Sequence, residues 1–484
     1  MKVFDSGARE RIKKLEKENK NLRREIKGLV REKERVEKQR ERLREERDRL
    51  KQELSKARRA GKRQAAPFSK GEPQKAPKRP GRKAGPGYGR KANRKIPKKV
   101  DEEIRVPLPD NCPQCGGGDF VDCHEKDQYQ TEIVRKTRVT RFRVGIGNCV
   151  QCGIRVQGRH PKQTSDALGA ASSQVGPEAI SLATVLNKQL GIPMGKTTSV
   201  LEQGFGLSIT PGGLSQALAR VGQKCEPTYD SLVQEVRASP WVTMDETGWK
   251  VGGYKWWLWV AVSEQTTVYG ILPGRGYEEA LTLVGADFDG VLVHDGWRPY
   301  YRFESAFHQS CNRHLINRCN GMIDVASPGG KVFPSHVNQI LCTGLDLRDR
   351  FAEGAISQHG LAVATGRLKS QMKELLDRKY RLPDNIRLAK HLTHEYDYLF
   401  TYLKFHGLEA TNWRGEQAIR PAVTTRKVWG GNRTNNGART QEVTASVLRT
   451  SHQRGIQPVP LIADLLRSPQ PYVLQLVPQN SSPN

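Results

Sequence analysis

The sequence predicts a multidomain α/β protein, and three observations carry that reading. A seven-residue apolar repeat crosses residues 8–57 without a proline. Two Cys-x-x-Cys pairs follow within residues 101–165. Between residues 238 and 320, apolar runs of strand length surround a run of helical period. A chain of 484 residues has room for about two to four domains and at least one large core.

In the N-terminal repeat, Leu15, Leu22, Leu29, Val36, Leu43 and Leu50 share one seam position. Ile12, Asn19, Ile26, Lys33, Arg40, Arg47 and Leu54 share the other. A left-handed supercoil keeps such a seam against a partner, so residues 8–57 are expected to form a dimerising coiled coil. Asn19 favours one register and two strands, and the cationic seam positions weaken the second half. The alternative is a solitary charged helix held by Glu–Lys pairs.

The charge is unevenly placed. Lys and Arg number 80 against 51 Asp and Glu, a net +29, of which +23 falls in residues 1–100 and only +6 in the remaining 384. Residues 58–100 are rich in Lys, Arg, Pro and Gly, and Glu72 is their one acid. Such a segment cannot bury enough apolar surface to fold and reads as a disordered basic linker. Lys78-Arg79-Pro80-Gly81-Arg82-Lys83 could enter a minor groove. A solvated spacer touching phosphates is the simpler reading. A basic arm on a near-neutral body implies a polyanion, most simply nucleic acid. No apolar run reaches the roughly 18 residues of a membrane span, and the charged N-terminus lacks a signal-peptide core. A membrane role is excluded on this reading, and secretion is not expected.

Nine cysteines in a chain of this length do not make a disulfide scaffold. Cys112 and Cys115 precede Gly116, and Cys149 and Cys152 precede Gly153. Two residues between thiols let both sulfurs face one tetrahedral ion, so residues 101–165 are expected to be a zinc ribbon with four cysteine ligands. Filled by four thiolates, that ion is structural. Gln130–Val134 and Thr137–Val144 are its expected strands. Residues 170–235 then show helical spacing (Ile180, Ala183, Leu186) and a helix start at Thr210-Pro211, with threonine as cap and proline in the first turn. Short helices joined by tight turns suggest a helix-turn-helix DNA-binding domain, or a small helical domain packed on its neighbour.

The acids come next. Trp241–Met244 reads as a strand ending in Asp245, and Trp256–Val262 and Thr266–Leu272 as its antiparallel neighbours. Tyr277–Val284 reads as a helix, and Gly290–His294 as a strand delivering Asp295. Two carboxylates at one sheet edge can share hard divalent cations, and a third acid would complete a site for phosphoryl transfer. After a helical stretch over 321–408, Glu416 is the best candidate and Glu442 the second. His294 is expected to pack. Cys311 and His314, with Cys319 nearby, make a weak metal signal, and His314 reads as structural or phosphate-facing. Arg420, Arg426 and Lys427 are candidate contacts to a nucleic-acid backbone.

Asp245-Glu246-Thr247-Gly248-Trp249, His294-Asp295-Gly296-Trp297 and the Asn412…Glu416…Ile419-Arg420-Pro421 segment together resemble the DDE transposases of the insertion sequence 66 type. The order of parts over roughly residues 10–470 is similar too, as is Arg426–Arg433 followed by Gly437-Ala438. One departure is Trp413-Arg414-Gly415 before Glu416 and Gln417 after it, where many relatives carry paired asparagines and Ala-Glu-Arg. The resemblance implies a ribonuclease H-like catalytic domain split into residues 238–320 and 409–470 by the 321–408 insertion, with 471–484 as a tail. It implies that Asp245, Asp295 and Glu416 bind two magnesium or manganese ions. The implied reaction is cleavage of double-stranded DNA at the element's ends and joining of the freed 3′-OH to target DNA. It further implies a prokaryotic, cytoplasmic, nucleoid-associated protein that assembles as a dimer or larger on DNA, with accessory proteins of the element as possible partners. A catalytically silent DNA-binding relative acting as a regulator is the alternative; an RNA-processing nuclease of the same fold is a third.

Overall fold

The computed structural model describes residues 5–60, 96–133, 137–169, 173–405 and 407–477. The chain divides into two compact units, residues 1–130 and 131–484. In the first, helix α1 runs from Asp5 to Ala60, as its Glu, Lys, Arg and Leu content favours. Ile12, Leu15, Leu22, Ile26, Leu29, Val36 and Leu43 lie between 51 and 61% exposed along it. Among the described residues, these seam side chains are therefore uncovered. Most of the expected basic linker, residues 61–95, lies outside the described residues.

The second unit opens with a hairpin, β1 (Ile146–Asn148) antiparallel to β2 (Arg155–Gln157). Among the described residues, the strands expected at Gln130–Val134 and Thr137–Val144 do not form. Ile133 and Val139 are 79 and 93% exposed, and β-branched residues without a ladder partner or a surface to cover do not hold a strand. Helix α2 (Pro177–Thr184) passes into a π turn over Val185–Gln189, and α3 (Met194–Phe205) follows. Helix α4 (Pro211–Arg237) starts at the expected cap, the Thr210 hydroxyl accepting from the Gly213 N–H at 3.1 Å.

A five-stranded sheet organises the rest. Its strands are β3 (Trp241–Val251), β4 (Tyr254–Val262), β5 (Thr267–Leu272), β6 (Val291–His294) and β7 (Phe307–Ser310), in the order β5-β4-β3-β6-β7. β3, β4 and β5 form an antiparallel meander. Helix α5 (Tyr277–Val284) then lies between β5 and β6, which runs parallel to β3, as β7 does to β6. One expectation is corrected here: β3 does not end before Asp245 but runs eleven residues, through Asp245 to Val251. The turn is made instead by Gly252-Gly253, at φ +58° and +86°. Positive φ at both positions suits a two-residue hairpin whose twist matches its strands.

Alternate strand residues pack on opposite faces of the sheet, as the period of two requires, and join three buried clusters. Val242, Met244 and Leu292 pack with Val221, Cys225, Tyr229 and Leu232 of α4 and Val443 and Val447 of α11 (Asn435–Gln453). Helix α4, read from the sequence as part of a separate helical region, thus shares the sheet's core. Trp241, Val291 and Val293 join a second cluster. It includes Leu315 of α6 (Asn312–Val325), Val337 of α7 (Pro328–Ala352), Leu368 of α8 (Gln358–Leu376) and Leu388 of α9 (Pro383–Glu395). Helices α10 (Trp413–Trp429) and α12 (Pro458–Arg467) complete the unit.

The free edge of β5 is closed by side chains of α11. Thr450 Oγ1, Ser446 Oγ and Glu442 Oε2 accept from the N–H groups of Thr267, Tyr269 and Ile271 at 3.1, 2.9 and 2.6 Å. Four helical residues rise about 6 Å and two strand residues about 6.8 Å, so the two repeats match. Donors that would otherwise template another chain are used up. Glu442, the second candidate for the third acid, is committed to this edge and to Arg439 at 2.8 Å.

Candidate active site

Asp245 and Asp295 are brought level by the sheet. β3 and β6 pair in parallel through Trp241 with Val291, Val242 with Leu292 and Thr243 with Val293. Continued two residues, this register sets Asp245 beside Asp295, which follows β6. Parallel neighbours lie about 4.8 Å apart. Asp295 is held by its own turn, its Oδ1 accepting from the Trp297 N–H at 3.0 Å.

Glu416 arrives in the first turn of α10. Asn412, wholly buried before that helix, donates from Nδ2 to the Met244 carbonyl at 3.1 Å. Its N–H donates to the Cys311 sulfur at 3.1 Å. The helix then approaches β3 so closely that a Cβ at Gly415 would stand 3.2 Å from the Asp245 Cβ and from Thr243 Cγ2, and 2.5 Å from Asn412 Oδ1. Glycine is what lets the acidic helix lie against the acidic strand. The helix continues through Pro421 to Trp429.

Electrostatics link the three acids. Burial pushes the Asp245 carboxyl up to about 7; the Glu246, Asp295 and Glu416 carboxylates push the same way, against a hydrogen bond from the Glu246 N–H. Three carboxylates that interact in this way are the kind of donor set that hard divalent cations take. Glu246 itself belongs elsewhere. One residue along the strand, it faces the opposite side, where its carboxylate accepts from the Arg275 guanidinium at 2.6 Å and the Tyr300 hydroxyl at 2.5 Å. Arg275 in turn lies over the rings of Trp257 and Trp297, 4.9 and 4.2 Å from their centroids. That stack anchors the turn carrying Asp295.

His294 packs, as expected, and its hydrogen bonds fix its tautomer. The Gly296 N–H donates to His294 Nδ1 at 3.1 Å, so Nε2 carries the proton and donates to His308 Nδ1 at 3.1 Å. His308 Nε2 then donates to the Phe303 carbonyl at 3.1 Å. Burial pushes His294 well below its ordinary value, consistent with this neutral chain behind Asp295. His314, in the first turn of α6, stands 3.6 Å from Glu416 Oε1. Its pKa rises to about 9, first through a hydrogen bond with Cys311 and further through Glu416 and Asp295, against burial.

Among the basic candidates, Arg426 is not a free surface cation: it donates to the Gly248 carbonyl and to Thr247 Oγ1 at 3.1 Å. Arg420 and Lys427 are exposed. The sequence placed Asn412 and Gly415 in the segment around Glu416 without a role for either, and did not link Cys311 and His314 to Glu416. Only the Asn before Glu416 had a local signal, as a residue type that favours helix starts.

The cysteine pairs fall in different units, Cys112 and Cys115 in the first and Cys149 and Cys152 in the second. Locally they are built alike. The Cys112 N–H donates to the Gly117 carbonyl and the Gly116 N–H to the Cys112 carbonyl, both at 2.8 Å. The Cys149 N–H donates to Ile154 at 2.9 Å and the Gly153 N–H to Cys149 at 2.8 Å. Gly116 and Gly153 take φ +76° and +70°. Backbone N–H groups of Gln114 and Cys115 lower the Cys112 thiol, and those of Cys152 and Gln151 lower Cys149. Each turn favours a thiolate, the form that binds zinc.

A sequence profile described as Transposase IS66 family matches residues 172–440, more than half of the chain and all five strands of the sheet. No curated protein matches the chain.

Proposed function

Because the chain belongs to the transposase IS66 family, we propose that it is an active DDE-type DNA transposase with Asp245, Asp295 and Glu416 as its catalytic acids. The observation that carries this reading is the raised carboxyl of Asp245, level with Asp295 and against the helix bearing Glu416. The β5-β4-β3-β6-β7 order, antiparallel for three strands and parallel for two, supports a ribonuclease H-like reading of the catalytic part. Divalent ions, magnesium or manganese, would supply charge neutralisation at the reacting phosphate and ease loss of the nucleophile's proton. Asp245, Asp295 and Glu416 are the residues that would hold them. Asn412 and Gly415 keep Glu416 against the sheet, and the Trp297 N–H keeps Asp295 oriented.

In the first step, water attacks the phosphorus at the element's end and the 3′-oxygen leaves. In the second, that 3′-OH attacks a target phosphate and displaces another 3′-oxygen. The basic N-terminal hundred residues bind DNA phosphates, α1 pairs two copies through its leucine seam, and the two cysteine turns supply thiolates to structural zinc. The test is strand transfer from a supercoiled plasmid carrying the element's ends, with magnesium. Activity should fall at least about 10³-fold in Asp245→Asn, Asp295→Asn and Glu416→Gln, with DNA binding retained. Tight end binding without cleavage by the unmodified chain under any metal condition would instead establish a silent regulator.

A further inference from the structure

Beside the acidic site lies a second constellation of different chemistry. Cys311, His314 and Glu416 each offer one ligand atom, and these atoms lie within 4.8 Å of one another. Cys311 precedes α6, His314 sits in its first turn, and Glu416 sits in the first turn of α10. The two helix starts are tied together. The Asn312 N–H donates to the Ala410 carbonyl at 3.0 Å, and the Asn412 N–H donates to the Cys311 sulfur. Cys311 is buried, while Glu416 is partly and His314 clearly exposed, so an ion can enter from the imidazole side.

Thiolate, imidazole and carboxylate together are a borderline-soft set that suits zinc and is a poor match for magnesium, which takes oxygen. Zinc–ligand bonds of about 2.0–2.3 Å put paired ligand atoms within about 4 Å of each other, close to the spacing present. Three protein ligands leave a fourth position for water. We propose that Cys311, His314 and Glu416 form a zinc site that shares Glu416 with the acidic site, so that zinc bound there withholds Glu416 and inhibits the reaction. The inhibitory part rests on the proposed function; the binding part does not. Binding displaces the thiol proton of Cys311 and keeps the Glu416 carboxylate turned toward His314, where it already points.

The experiment counts zinc on the full chain by equilibrium dialysis and elemental analysis at fixed free zinc. It compares the unmodified protein with Cys311→Ser, His314→Gln and Asp245→Asn. The first two should each bind one zinc fewer per chain, and Asp245→Asn should bind as many as the unmodified protein. His314→Gln alters an exposed side chain and so serves if Cys311→Ser folds poorly, with melting followed for both. In the second arm, zinc is added to magnesium-driven strand transfer. The concentration giving half inhibition should rise at least about tenfold in whichever ligand variant retains turnover, since even second-shell changes cost tenfold in metal affinity. Equal zinc counts in the unmodified protein and both ligand variants would overturn the site, whatever the activity. One zinc fewer in both variants, with their inhibition unchanged, would overturn the shared role of Glu416. A chain that never cleaves DNA would defeat the proposed function while the zinc count still decides the site.

Discussion

Asp245→Asn is expected to stabilise the metal-free chain while abolishing its chemistry. The Asp245 carboxyl rises from 3.8 to about 7 on folding. Below pH 3.8 both folded and unfolded chains hold the proton and there is no penalty. Between 3.8 and about 7 the unfolded chain alone ionises, so native stability falls as pH rises. Above about 7 both are ionised and the full penalty stands. At 1.36 kcal/mol per pH unit the ceiling is about 4 kcal/mol, and partial solvent access lowers this to about 2–3 kcal/mol. Asparagine carries no charge and escapes the penalty. By calorimetry at pH 8 with chelator present, the variant should melt higher on the order of 5 °C. At pH 5 the margin should shrink to about a third of that. Magnesium should raise the melting temperature of the unmodified chain and leave the variant nearly unchanged. A variant that melts below the unmodified chain at pH 8, or shows one margin at both pH values, would refute the electrostatic coupling of the acids.

Gly415→Ala should cost about 1–3 kcal/mol of stability by overpacking and lower strand transfer at least tenfold, because α10 must move off Asp245. Gly366→Ala is its control: a Cβ there meets nothing within 4 Å, so melting should hold or rise by about 0.4–1 kcal/mol. If both alanines behave alike by calorimetry, the close approach of α10 is not what Gly415 permits. In the first unit, Leu22→Lys with Leu29→Lys should convert a dimer to a monomer by sedimentation, each leucine removing roughly 1.5–3 kcal/mol of burial. An unchanged mass would assign dimerisation elsewhere.

Local signals made much of this architecture legible. The Thr210-Pro211 start, the helix at Tyr277–Val284 and the strand before Asp295 each carry a cap, a period or an apolar run of the right length. The long β3 was not legible past Met244, because Asp-Glu-Thr-Gly reads as a turn while the true turn signal, Gly252-Gly253, stands seven residues beyond Asp245. Strands were expected at Gln130–Val134 and Thr137–Val144 from residue type alone, and type without a partner is insufficient. Asp245 and Asp295 were readable as a pair because both follow apolar strand residues. What holds Glu416 was not. Its neighbours Cys311 and His314 are about a hundred residues away in sequence, and the fit of Gly415 onto Thr243 and Asp245 is a packing fact without a sequence period. Likewise, the docking of α4 on the sheet and the closure of β5 by Glu442, Ser446 and Thr450 depend on tertiary contacts.

The most direct test of the central claim replaces one proposed oxygen ligand by sulfur. Asp295→Cys should lose strand transfer at least about 10³-fold with magnesium and regain tenfold or more with manganese, which accepts sulfur more readily, while binding DNA ends as before. Full activity of that variant in magnesium, or none in either metal despite normal melting and DNA binding, would contradict a metal-holding role for Asp295 and the acidic site built around it.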